Sequence, residues 1–147
     1  MKKLFVSMSL LMTVAVSSAF AGEDPGITEE LKAAFKKEFS GAESVRWQES
    51  EDYYKVNFVF QGCVTEAYYN KEGELEGSVR SLFFNQLPLV VMTSVTKRFS
   101  DADVLDVYEI NNANGTKYRL TLTSEKKKYR VIVDASGNIT DKERVKN

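Results

Sequence analysis

The sequence predicts an α+β fold: a tandem repeat of a helix followed by a four-stranded antiparallel sheet, once over about residues 27–84 and again over about 87–145. Two observations predict it. First, Tyr53 to Leu75 contains two runs of alternating side chains joined at Gln61-Gly62 and closed by the turn Asn70-Lys71-Glu72-Gly73, and Tyr118 to Ile139 has the same alternation and the same kind of turn, Asp134-Ala135-Ser136-Gly137. Second, Phe39-Ser40-x-Ala42-x-x-Val45-x-Trp47-x-Glu49 matches Phe99-Ser100-x-Ala102-x-x-Leu105-x-Val107-x-Glu109 at an offset of 60. After the longer turn Asn111 to Gly115 the offset becomes 64, and Tyr54, Asn70, Gly73 and Leu75 meet Tyr118, Asp134, Gly137 and Ile139. Alternation with period two is the mark of a half-buried strand, and ordered matches at a fixed offset are the mark of a repeated unit.

The N-terminus is set apart from the fold. Lys2 and Lys3 precede an apolar run from Leu4 to Val16, and Ala19-Phe20-Ala21 is a small-x-small cleavage signal, so residues 1–21 read as a secretory signal peptide cut after Ala21. The apolar run is shorter than the roughly 20 residues a membrane anchor needs. Residues 22–147 then form one domain, periplasmic or secreted, with no membrane insertion after cleavage and a monomer as the expected state. Removing Lys2 and Lys3 from the 20 basic residues leaves 18 against 21 acids, a formal charge of −3 that speaks against nucleic acid as a partner. A single cysteine, Cys63, allows no internal disulfide and reads as a small apolar residue buried in a strand. The chain contains no His. That removes the Ser-His and Cys-His nucleophile pairs, His-ligated zinc and the usual neutral-pH general base, so the chain reads as a non-enzyme with no cofactor and no metal.

The elements follow in order. Thr28 caps a first helix whose early Glu29 and Glu30 suit the helix dipole, with Leu31, Ala34, Phe35 and Phe39 as its apolar stripe and Ser40-Gly41 as its end. Val45 and Trp47 alternate with Arg46 and Gln48 in a first strand, and Ser50-Glu51-Asp52 turns the chain. Tyr53 to Phe60 and Cys63 to Tyr69 are hairpin partners, and Leu75 to Phe84 is a fourth, more weakly patterned strand. Pro88 starts a second helix with Leu87, Val91, Val95 and Phe99 on its stripe. The repeat then assigns faces. Val45, Trp47, Tyr54, Val56, Phe58, Phe60, Ala67 and Tyr69 face the helices, as do Leu105, Val107, Tyr118, Leu120, Leu122, Tyr129, Val131 and Val133.

Laid out this way, the chain resembles the bacterial PepSY-like family, described as similar to β-lactamase inhibitor proteins. The residues that carry the resemblance are Phe39-Ser40-x-Ala42, Val45-x-Trp47, the Tyr-x-Val-x-Phe strand at Tyr54 to Phe58, and Ala67-Tyr68-Tyr69-Asn70-x-x-Gly73. The resemblance implies an exported protein with two tandem units whose strands form a broad curved sheet, helices on one side, and whose open face grips another protein.

That open face supplies the candidate site. Tyr53, Tyr68 and Tyr108 offer large contact area at small entropic cost, and Arg46, Arg119 and Arg130 can pair with carboxylates, residue types enriched at interface hot spots. The expected function is a non-catalytic protein-binding module, an inhibitor or modulator of an envelope enzyme. The alternative is a small-ligand or metal carrier using the groove between the halves. Other features read as structure. The two Gly-containing turns lack the spaced acids of a calcium loop, Lys126-Lys127-Lys128 reads as a charged hairpin tip, and Glu49 and Glu109 read as solvated acids at strand ends.

Overall fold

The computed structural model describes residues 26–145, and the expected signal peptide lies outside them. Helix α1 (Glu29–Glu38) leads into β1 (Glu43–Glu49), β2 (Tyr53–Phe60), β3 (Cys63–Asn70) and β4 (Leu75–Leu82). A single 3₁₀ turn, Phe84–Gln86, then leads to α2 (Leu89–Arg98), β5 (Asp103–Asn112), β6 (Gly115–Ser124), β7 (Lys127–Asp134) and β8 (Ile139–Val145). All eight strands join in one antiparallel sheet in the order of the sequence. The sheet does not divide between the halves, because β4 pairs with β5 from Gly77↔Asn112 to Leu82↔Val107.

The helices start differently. At α1 the Thr28 side chain accepts the Leu31 N–H at 3.2 Å, and Glu29 and Glu30 stand in the first turn. At α2 the cap is Pro88 itself, one place before the first helical residue, with no side-chain hydrogen bond and no acid in the first turn. Both helices end alike: Phe39 N–H donates to Phe35 O and Phe99 N–H to Val95 O, each at 2.8 Å.

Because side chains alternate along each strand, the register shows which residues share a face. Val56 lies opposite Ala67, Ala67 opposite Ser78 and Ser78 opposite Asn111. On the same side Leu82 lies opposite Val107, Val107 opposite Leu120 and Leu120 opposite Val131. Helix α1 covers the first part of this face with Ile27, Leu31 and Phe35 against Val56, Phe58, Ala67 and Tyr69. Helix α2 covers the second part with Val91 and Val95 against Val107, Leu120, Leu122, Val131 and Val133. Both helices therefore lie on one side of the sheet. Each large side chain buried here stabilises the fold by roughly 1.5–3 kcal/mol.

Four expectations need correction. Val45 and Leu105 do not face the helices; they are 39% and 50% exposed. The cause is a β-bulge in each strand, between Glu43 and Arg46 in β1 and between Val104 and Asp106 in β5. An extra residue reverses the alternation locally, and in β5 it is Val104 that packs against the core. Ala34 is exposed and Ile27, outside the predicted stripe, is buried. The fourth strand stops at Leu82, because Phe83 turns the chain into the 3₁₀ segment.

Candidate functional site: the open face of the sheet

The side chains that alternate with the core form a second face, away from both helices. Three rows cross it. Gln48, Lys55, Tyr68, Gly77 and Asn112 are successive cross-strand partners, as are Arg46, Asn57, Glu66, Val79, Ile110 and Lys117. The third row runs Ser81, Tyr108, Arg119, Ile132 and Asp141.

All six residues singled out from the sequence belong to this face, but not to one cluster. Tyr53 and Tyr68 form a corner, their rings 5.9 Å apart. Tyr108 and Arg119 form a second unit, the guanidinium 4.8 Å from the ring centroid. Two strands and four residues separate Tyr68 from Tyr108, roughly 17 Å by strand spacing and rise. Arg130 is exposed and paired with Glu143 across β7 and β8, and Arg46 is exposed on the edge strand β1.

The Tyr68 corner is electrostatically ordered. Lys55 Nζ lies 2.9 Å from Glu66 Oε1 and 5.7 Å from the Tyr68 ring centroid, while Tyr68 Oη donates to Glu66 Oε2 at 2.7 Å. Partial burial pulls the Glu66 carboxyl upward, but the hydrogen bonds from Lys55 and Tyr68, with the ammonium charge, outweigh it and hold the group below its usual value. The hydrogen bond to Glu66 raises Lys55, against desolvation. Desolvation and then the bond to Glu66 raise Tyr68. The result is a Lys–Glu–Tyr arrangement that holds the Tyr68 ring in place.

The alternation places Val64 on this face, whereas Phe83, just past the end of β4, was not singled out from the sequence. Val64 is 62% exposed and Phe83 is 77% exposed. A shallow hollow of about 220 Å³ lies between Tyr68 and Ile110, floored by Gly77 and Val79. Gly77 is confined there by the neighbouring strand, since a Cβ would stand 2.7 Å from Asn111 O.

On the helix side, Glu109 is not the solvated acid expected. Its side chain is 14% exposed and bonds Arg80 at 2.9 Å and Asn111 Nδ2 at 3.1 Å, and Asn111 in turn accepts from Thr116 at 2.6 Å. Desolvation first, then the Glu109 charge, raises its neighbour Tyr118. Glu49 stands apart from it, pairing with Lys71 at 3.0 Å. Between the two helix-covered regions an open groove of about 770 Å³ is bounded by Glu38, Phe39, Glu74, Ser78 and Asn111. Among the described residues, Tyr69 Oη and Arg80 Nε are buried with no hydrogen-bond partner. Among the described residues no group of three or more His, Cys, Asp or Glu could hold a metal ion.

The two Gly-containing turns are closed by their own hydrogen bonds. Asn70 N–H donates to Glu74 O and Asp134 N–H to Asn138 O, with Gly73 and Gly137 at φ 83° and 86°. Bonds from the Asn138 side chain and backbone, and from Ser136, lower the exposed Asp134 carboxyl.

Solved structures share this fold. A BLIP-like protein from Bacteroides fragilis superposes with a TM-score of 0.73 at 21% identity, covering 82% of this chain and 87% of that one. The fold is BLIP-like. A DUF2874 family protein from Bacteroides uniformis matches this BLIP-like fold with a TM-score of 0.71 at 18% identity, over 80% of this chain and 89% of that one. A protein of Bacteroides eggerthii, whose name proposes a periplasmic location, matches with 0.70 at 18% identity, over 80% and 88%. None of these three is named PepSY-like. The sequence matches no family model and no curated protein.

Proposed function

We propose that the chain is an exported, non-catalytic module that binds another protein through the open face of its sheet, as an inhibitor or modulator of an envelope enzyme. The observation that carries this reading is the face itself. Tyr53, Tyr68 and Tyr108 stand there with exposed Val64, between Arg46, Arg119 and Arg130, on the side opposite both helices. Aromatic and Arg side chains held by neighbours lose little entropy on contact. The likeness to BLIP-like proteins and to one whose name proposes the periplasm supports an exported binding role, and Lys2 through Ala21 supports export with cleavage after Ala21. The same reading takes the chain as a tandem repeat related to PepSY-like proteins, acting as a monomer.

The test is affinity capture from an envelope extract with the wild type and a Tyr53→Ala/Tyr68→Ala/Tyr108→Ala variant. The reading expects a partner retained by the wild type and lost by the variant at unchanged melting temperature. Equal recovery by both proteins contradicts it.

A second reading, a carrier of a small polar ligand, is favoured by the 770 Å³ groove and its polar lining of Asn70, Ser78, Asn111 and Asn112. Ligand bound to the native state raises the melting midpoint. Unchanged midpoints with divalent cations and with amino acids, sugars and carboxylates at millimolar concentration remove this reading.

A further inference from the structure

The two helices occupy equivalent places in the sheet, and their outward faces are unlike. Leu31, Phe35 and Phe39 of α1 and Val91, Val95 and Phe99 at α2 stand sixty residues apart and pack against the two core regions. By the same spacing, the exposed Glu29 and Glu30 correspond to Leu89 and Val90, which are 75% and 49% exposed. Two solvated acids thus suffice at this place in the fold, and they favour the positive end of the helix dipole. In α2 that advantage is given up for two apolar side chains facing solvent. Packing does not demand Leu89.

These residues border an open groove. Leu89, Val90, Thr93 and Lys97 form one wall and Ser136 and Gly137 of the β7–β8 turn the other, around a volume of about 670 Å³. The turn approaches closely because residue 137 is Gly: a Cβ there would meet Val90 O at 2.9 Å. At the matching turn, a Cβ on Gly73 would meet Leu31 Cδ1 at 4.0 Å and nothing nearer among the described residues.

We propose that this groove docks an extended or helical segment of a partner protein that sets an apolar side chain on Leu89 and Val90 and a carboxylate at Lys97. The groove is open along its length, so a small molecule would remain largely in water, whereas good small-ligand sites bury most of the ligand. Among the described residues its only charged lining residue is Lys97, eight residues from Leu89 and about 12 Å along the helix. A second copy fits poorly. Antiparallel pairing of two α2 helices brings Lys97 to the Leu89 end of its mate, and α2 contains no acid to receive it. A lipid surface would need more cations than this wall offers.

The test uses the full chain in its native host, with a photo-crosslinking side chain at exposed Thr93 and, as an internal control, at exposed Ala33, the position sixty residues earlier on α1. The expected result is a protein adduct at Thr93 and none at Ala33. Its mapped peptide carries an apolar residue about 12 Å from an Asp or Glu, four residues away if extended or eight if helical. Yield falls about tenfold or more in Leu89→Glu and in Lys97→Glu, the loss expected of hot-spot residues. Melting should be unchanged in both, since a Glu already occupies the Leu89 position of α1; should Leu89→Glu unfold, Lys97→Glu decides. The adduct persists in the triple Tyr variant, which separates this groove from the sheet face. An adduct of two copies of this chain, a lipid adduct, equal labelling at Ala33, no adduct, or a yield indifferent to both variants each overturns the proposal.

Discussion

The half of the molecule built on β1–β4 and the half built on β5–β8 have the same backbone irregularities and different cores. Bulges fall between Glu43 and Arg46 and between Val104 and Asp106, then again between Tyr68 and Tyr69 and between Ile132 and Val133. The turns after β3 and β7 close with the same pair of backbone hydrogen bonds. Yet the first half packs rings, with Phe35 4.9 Å from Phe58 and 5.4 Å from Trp47, while the second packs Val91, Val95, Leu120, Leu122, Val131 and Val133. The path of the chain is thus held by bulges and turns, and either kind of side chain can fill the space beneath a helix.

Four predictions probe that contrast. The largest effect is expected in the cores. Phe58→Ala should cost about 4 kcal/mol and Leu122→Ala, sixty-four residues on, about 3 kcal/mol, measured by urea denaturation. The excess reflects ring contacts of Phe58 with Phe35 and Phe39. Equal costs would mean that the ring network adds nothing to simple burial.

The two related acids come next. Glu109→Ala leaves Arg80 partly buried without its partner and should cost about 2 kcal/mol, the scale of a charge-assisted hydrogen bond. Glu49→Ala, whose pair with Lys71 is 40% and 32% exposed, should cost under about 1 kcal/mol. The difference disappears if Glu109 is as solvated as its sequence context suggests. For the turns, Gly137→Ala should destabilise by about 1 kcal/mol more than Gly73→Ala, since both have positive φ but only Gly137 is crowded by Val90.

The smallest effect at neutral pH concerns Tyr69, whose counterpart in the second half is Val133. Burial first, and then the Glu38 charge, pushes its hydroxyl up to about 12. The folded pKa lies above the unfolded one near 10, so this contribution is present below pH 10 and is lost as pH rises toward 12. Tyr69→Phe should remove that alkaline loss and leave neutral-pH stability unchanged or slightly higher, because the hydroxyl has no partner. A marked loss at pH 7 would reveal a hydrogen bond to water there.

Much of the fold could be read from residues whose signal is local. Alternation marked β2, β3, β6 and β7, and the Gly turns marked their ends, because these depend on the chain's own periodicity. Val45 and Leu105 were misplaced because a bulge is set by pairing with the next strand, which alternation within one strand cannot show. Glu109 looked like a surface acid for the same reason: Arg80 reaches it only through the β4–β5 register. The six candidate residues lie on one face, where the alternation also places Val64, but the exposed Phe83 and Leu89 were passed over, since an apolar side chain next to a strand end or in a helix reads as core until the packing is seen.

The central claim is that the uncovered sheet face is the contact surface, and hydroxyl-radical footprinting with and without a captured partner tests it most directly. The account predicts that oxidation of Tyr53, Tyr68 and Tyr108 drops on addition of the partner while that of Trp47 and Tyr129, on the helix side, stays constant. Unchanged oxidation of all three face tyrosines beside a bound partner would contradict it.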